Sequence, residues 1–174
     1  QHGFDFVDLA LEPPAADTHD IDTVAVLAAV DRHSLGVVVH TSPFLPIANP
    51  HQAARQMALD ELLRSLKIAL PLRAQLMTIH YLESPRFFTQ DEVVDYYADM
   101  LSLLCDAAVG TGVGIAIENS PRNQGEVMLF NEIFQRVPMA RLLLDIGHAN
   151  MNVSTNLTAE FLWDHIVGQR LSHV

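Results

Sequence analysis

Six short apolar runs, each ending at a polar residue and separated by stretches of helical spacing, limit what this chain can fold into more than any other feature. The runs occupy residues 4–11, 37–39, 76–79, 113–117 and 142–144, with one more opening at 171. Between them, apolar residues recur every three or four positions, as at Ala54, Ala58, Leu62, Leu66 and Ala69. That spacing predicts helices over 21–33, 54–69, 127–137 and 158–167. Thr89 and Glu92 have the spacing of a capping box, and the apolar face behind them runs through Val93, Tyr97, Met100, Leu104 and Ala108 to a stop at Gly110 and Gly112. Alternating strands and helices imply right-handed crossovers and a parallel sheet.

The residues at the strand ends choose between a closed barrel and an open sheet. His40, His80, Glu118 and Asp145 stand 40, 38 and 27 residues apart, one per βα unit, each at a C-terminal strand end. A barrel brings such ends to one mouth, whereas an open sheet spreads them along an edge. No glycine-rich phosphate fingerprint follows the first run, which argues against a dinucleotide fold. No linker or low-complexity tract divides residues 1–174, so a single domain is expected.

The strand ends also carry the candidate chemistry. The run Leu142 to Leu144 stops abruptly at Asp145, and His148 follows three residues later with Gly147 between them. A carboxylate and an imidazole so placed can face one pocket, and both ligate first-row metals. Glu118 ends a strand that reads as buried on both faces, so its charge needs a partner: a metal, or an arginine such as Arg141 or Arg122. His40 and His80, at successive strand ends, are candidate ligands. Glu12 and Asn119 are expected at the substrate, whereas Phe44, Phe87, Phe88 and Trp163 are expected to pack under loops, with walling of the substrate pocket as the alternative.

Composition narrows the function. The net charge is -11, with 10 basic against 21 acidic residues and Lys67 the only lysine, which disfavours phosphate-held nucleic acid as a partner. No apolar run approaches the roughly 18 residues of a membrane span, so a soluble, cytoplasmic protein is expected. Cys105 is the single cysteine, which excludes an internal disulfide, and its apolar neighbours predict a buried helix position.

The segments HTSPFLPIANP, IAIEN and LLLDIGHAN, in this order, resemble the xylose-isomerase-like barrel superfamily. The resemblance spans nearly the whole chain. It implies a (β/α)8 TIM barrel with a divalent metal at its C-terminal mouth. In the epimerase branch it implies that Glu118 binds metal and serves as acid and base, that Asp145 binds metal, and that His148 contacts substrate. In the endonuclease IV branch it implies that His40, His80, Glu118, Asp145 and His148 are all ligands of a multi-zinc cluster. Such barrels run to about 250 residues. The chain is therefore expected to hold an incomplete set of about six βα units, lacking strand 1 and strands 7 and 8. An incomplete barrel has open edges that another chain, such as a second copy in a homo-oligomer, could cover.

The expected function is that of a metal-dependent isomerase or epimerase using Mn²⁺, Mg²⁺ or Co²⁺. Its substrate would be a small-molecule sugar or sugar phosphate, with Glu118 moving a proton through an enediolate. The alternatives are an endonuclease IV-like zinc phosphodiesterase and a non-catalytic barrel used for binding.

Overall fold

The computed structural model describes residues 3–82, 87–121, 125–151 and 153–174. Strand β1 (Phe6–Leu11) leads to helix α1 (Thr23–His33), β2 (Gly36–Thr41) to α2 (Gln52–Ala69), and β3 (Leu76–His80) to α3 (Gln90–Ala108). Strand β4 (Gly114–Glu118) leads to α4 (Glu126–Arg136), β5 (Arg141–Leu143) to α5 (Thr158–Trp163), and β6 (Leu171–His173) comes last. The six strands form one sheet in the order β1-β2-β3-β4-β5-β6, every pair parallel. It curls into a half-barrel of the TIM type with helices on its outer side.

The two faces of each strand have different tasks. Outward-facing Val37, Val39, Met77, Ile79, Ile115, Ile117 and Leu142 pack with helix residues such as Leu62, Tyr97, Leu104, Phe130 and Phe134 in the main core. Inward-facing Val38, Leu76, Ala116 and Leu143 form a separate, smaller apolar layer. The period of two along a strand then places His40, His80 and Glu118 on that same inward face, beyond the apolar layer. The pairings His40 with Thr78, and His80 with Glu118, fix their relative height.

Local sequence explains two helix starts. Asp22 caps α1 by accepting the Ala25 N–H at 2.9 Å. Thr89 and Glu92 close the expected capping box on α3. Cys105 is buried on α3, and burial raises its thiol to about 11.

Three expectations need correction. The last helix ends at Trp163 rather than 167, because the Asp164 carboxylate accepts the Ile166 and Val167 N–H groups, both at 2.9 Å, and so competes with the helix for backbone donors. Phe44, Phe87 and Trp163 are largely exposed, in loops or at a helix end, and only Phe88 packs against the core. Arg141 does not pair with Glu118: its guanidinium lies over Gly114, near the opposite end of β4, at the spot a Cβ there would need. Arg122, the other candidate partner, lies outside the described residues. Among those residues no helix is long and apolar enough to cross a membrane.

Candidate active site

Glu118 is the centre of the strand-end cluster. It is only 3% exposed, and three imidazoles surround its carboxylate. His40 Nε2 lies 3.0 Å and His80 Nδ1 3.3 Å from Oε2, while His148 Nδ1 lies 3.3 Å from Oε1. Even so, Oε2 has no hydrogen bond of good geometry, and its interaction with the adjacent His40 Nε2 is chiefly one of charge. A buried carboxylate oxygen left this way carries a desolvation cost that a cation would remove.

The two strand-end histidines are held from behind. His40 Nδ1 sits 3.1 Å from Asp8 Oδ2, which directs Nε2 at Glu118. His80 Nε2 sits 3.0 Å from the Thr41 carbonyl, which directs Nδ1 at the same oxygen. The rings themselves lie 4.6 Å apart. Burial alone would lower the His40 imidazole, but Asp8 and Glu118 outweigh it and raise it from 6.5 to about 10. Burial lowers His80, with the charges of His40 and His148 adding to the effect and Glu118 opposing it. Without a metal, the two neighbouring rings are thus shifted in opposite directions.

Asp145 and His148 complete the cluster on the β5 side. Asp145 Oδ1 accepts the His148 N–H at 2.8 Å, and His148 Nδ1 lies 2.9 Å from the Asn119 carbonyl. Two groups of three could each hold a metal ion: His40, His80 and Glu118, and Glu118, Asp145 and His148. Within each group the ligand atoms lie within 4.8 Å of one another, and Glu118 belongs to both. The donors are imidazole and carboxylate, which suits zinc, manganese or cobalt.

Five candidate ligands from the sequence therefore meet in one place. Glu12 is not in either ligand group but lines an open cleft of about 300 Å³ together with Asp8, Ala10, His40, Thr41, Pro43 and His80. Asn119 does not face that space. It is 1% exposed, with both ends of its amide bonded to the Asp145 backbone, which makes it a clamp between strand ends.

Two residues in or near the site escaped sequence reasoning. Asp8 shares the inward face of β1 with Phe6 and Ala10, a period-two pattern that carried the signal. Glu126, at the start of α4, is buried and accepts the Ser120 N–H at 2.7 Å, two residues past Glu118. Burial raises its carboxyl to about 8, against the pull of the Ser120 hydrogen bonds.

A family model described as xylose isomerase-like TIM barrel matches residues 1–174. Among solved structures, a D-tagatose 3-epimerase-like protein superimposes with a TM-score of 0.79 at 21% identity, over 99% of this chain and 67% of that one. The D-psicose 3-epimerase of Clostridium cellulolyticum H10 gives 0.75 at 17% identity, over 98% and 62%. An IOLI protein with a bound zinc atom gives 0.77 at 19% identity, over 98% and 62%. The chain thus spans between about three fifths and two thirds of these proteins' lengths. No curated protein sequence matches it significantly.

Proposed function

We propose, for a chain that belongs to the xylose isomerase-like TIM barrel family, that the cluster around Glu118 holds a divalent cation and that the protein is a sugar isomerase or epimerase. The observation that carries this reading is Glu118 Oε2, buried, without a hydrogen bond of good geometry, and faced by two imidazole nitrogens. Either His40, His80 and Glu118 or Glu118, Asp145 and His148 would hold the ion. When bound, a divalent ion supplies Lewis-acid polarisation of a carbonyl oxygen.

The chain's own residues would do the remaining work. Glu118 has a second oxygen, Oε1, on the side of His148, and the carboxylate takes a proton from the carbon beside the carbonyl, which it returns to the neighbouring carbon in an isomerisation, whereas inversion of the same carbon needs a second acid on the opposite face. The substrate passes through an enediolate between those transfers. His148 has Nδ1 committed to the Asn119 carbonyl, which leaves Nε2 to meet a substrate oxygen or the ion. The apolar layer of Val38, Leu76, Ala116 and Leu143 keeps water from the inner side of the cluster.

Charge favours an uncharged sugar over a sugar phosphate. The described cleft lining contains Asp8 and Glu12 but no lysine or arginine. Arg64, Arg73 and Arg136 pair with Glu61, Asp31 and Asp95, and Arg55 lies 4.5 Å over the Tyr96 ring. The epimerases among the similar structures, whose names specify free sugars, support the same choice.

The test is incubation of the protein with ketohexoses in deuterium oxide, with Mn²⁺, Co²⁺, Mg²⁺ or Zn²⁺ added. The expected result is one deuterium entering beside the carbonyl, together with an epimer or isomer. No exchange into any ketose with any of the ions would overturn the reading. The histidine pair specifically favours a second reading, the zinc phosphodiesterase. Two or three tightly held zincs per chain, with cleavage of an abasic duplex, would promote it.

A further inference from the structure

The β4–β5 ladder ends at Glu118 opposite Leu143, yet the residues that matter after β5 come two and five positions later. Asn119 bridges that gap with its side chain. Its Nδ2 donates to the Asp145 carbonyl at 3.0 Å, and its Oδ1 accepts the Asp145 N–H at 2.7 Å. Its own carbonyl lies 2.9 Å from His148 Nδ1. One buried residue thus adjoins Glu118 in sequence, binds the Asp145 backbone twice, and meets the His148 ring.

We infer that Asn119 is a positioning residue that sets the separation between Glu118 and the Asp145–His148 pair. A primary amide offers one donor and one acceptor side by side, as a backbone peptide does, so it can stand in for the ladder rungs that β5 lacks. Alanine would leave a buried N–H and a buried carbonyl without partners. Aspartate would keep the acceptor and lose the donor. Glutamine has the right groups, but its extra methylene moves them out of place. The inference rests on the reading that Glu118, Asp145 and His148 hold an ion. It adds a residue that touches neither ion nor substrate but sets where the ligands stand.

Two measurements on the wild type, Asn119→Ala and Asn119→Asp test it. The first is amide hydrogen exchange without metal. The Asp145 N–H, although beyond the end of β5, should exchange as slowly as strand amides in the wild type. It should lose that protection in N119A and keep it in N119D, while β3 and β4 amides are unchanged in both. The second is Co²⁺ titration followed by visible absorption, where N119A should bind at least about tenfold more weakly, with its bands shifted in energy.

Fast exchange of the Asp145 amide in the wild type would overturn the inference whether or not an ion binds. So would N119A binding Co²⁺ within twofold of wild type with unshifted bands. Should N119A fail to fold, the wild-type amide and the N119D rescue decide. Should wild type bind no Co²⁺, the proposed function fails, and the exchange data alone judge the clamp.

Discussion

His40 Nε2 lies 3.0 Å from Glu118 Oε2, and the Nδ1 of the same ring lies 3.1 Å from Asp8 Oδ2, so one imidazole links an open strand face to a buried carboxylate. Most of the expected chemistry depends on that link and on the groups at its two ends.

Glu118→Gln should remove proton exchange while leaving the fold intact. The amide fills the same space but cannot take a proton, and general-base losses amount to about 10²–10⁴-fold. Deuterium wash-in to the sugar reads the rate, and circular dichroism reads the fold. Wild-type wash-in by the variant would remove Glu118 from its assigned role.

Asp8→Asn should weaken divalent-ion binding by about 10–100-fold, the usual effect of losing a carboxylate that orients a ligating histidine. The fold should hold, because Asp8 is about half exposed on the edge strand β1. Competition with a chelator of known affinity measures the change. Unaltered affinity would show that His40 is held without Asp8 or is not a ligand.

Glu126 should make the metal-free protein less stable as pH rises. Burial raises its folded-state value to about 8 from an ordinary 4.5, so between those values the folded state holds a proton that the unfolded chain has released. Stability from this group is therefore complete below about 4.5 and declines through about 8, at no more than about 1.4 kcal/mol per pH unit. In Glu126→Gln this component of the slope should vanish. Urea unfolding of both proteins from pH 5 to 9 gives the difference, and parallel profiles would contradict it.

Gly168→Ala should destabilise by about 1–3 kcal/mol, the common cost of forcing extra volume into a packed site. A Cβ there would collide with the Leu162 carbonyl oxygen, which is backbone and cannot swing aside. Gly114→Ala is the comparison: the nearest atoms to its Cβ would be those of the Arg141 guanidinium, the end of a flexible chain, so its cost should be smaller. Chemical denaturation midpoints rank the two, and an equal or reversed order would sink this argument.

The strands were legible because their interiors are apolar on both faces, so continuous runs such as those at 76–79 and 113–117 stand out from helical spacing. The α3 start was legible for a local reason, since a capping box lies within four residues. Asn119 was harder to read. Its residue type says that two hydrogen bonds are wanted, but whether substrate or backbone supplies them depends on where β5 stops pairing. The end of α5 depended likewise on which backbone groups the Asp164 side chain reaches. Asp8 was visible only as a period-two pattern, and its task depends on a histidine 32 residues away.

The acidic cleft wall also acts before anything touches it. Asp8 and Glu12 line an open cleft on a chain of net charge -11, and negative charge at such a mouth draws cations toward it through solvent. The arrival of a divalent ion would therefore be accelerated by long-range attraction, while polyanions would be slowed on approach. Both rate effects fade as the Debye length contracts to about 10 Å at 0.1 M salt. Ionic strength thus governs how quickly the site is reached, separately from how tightly its ligands hold.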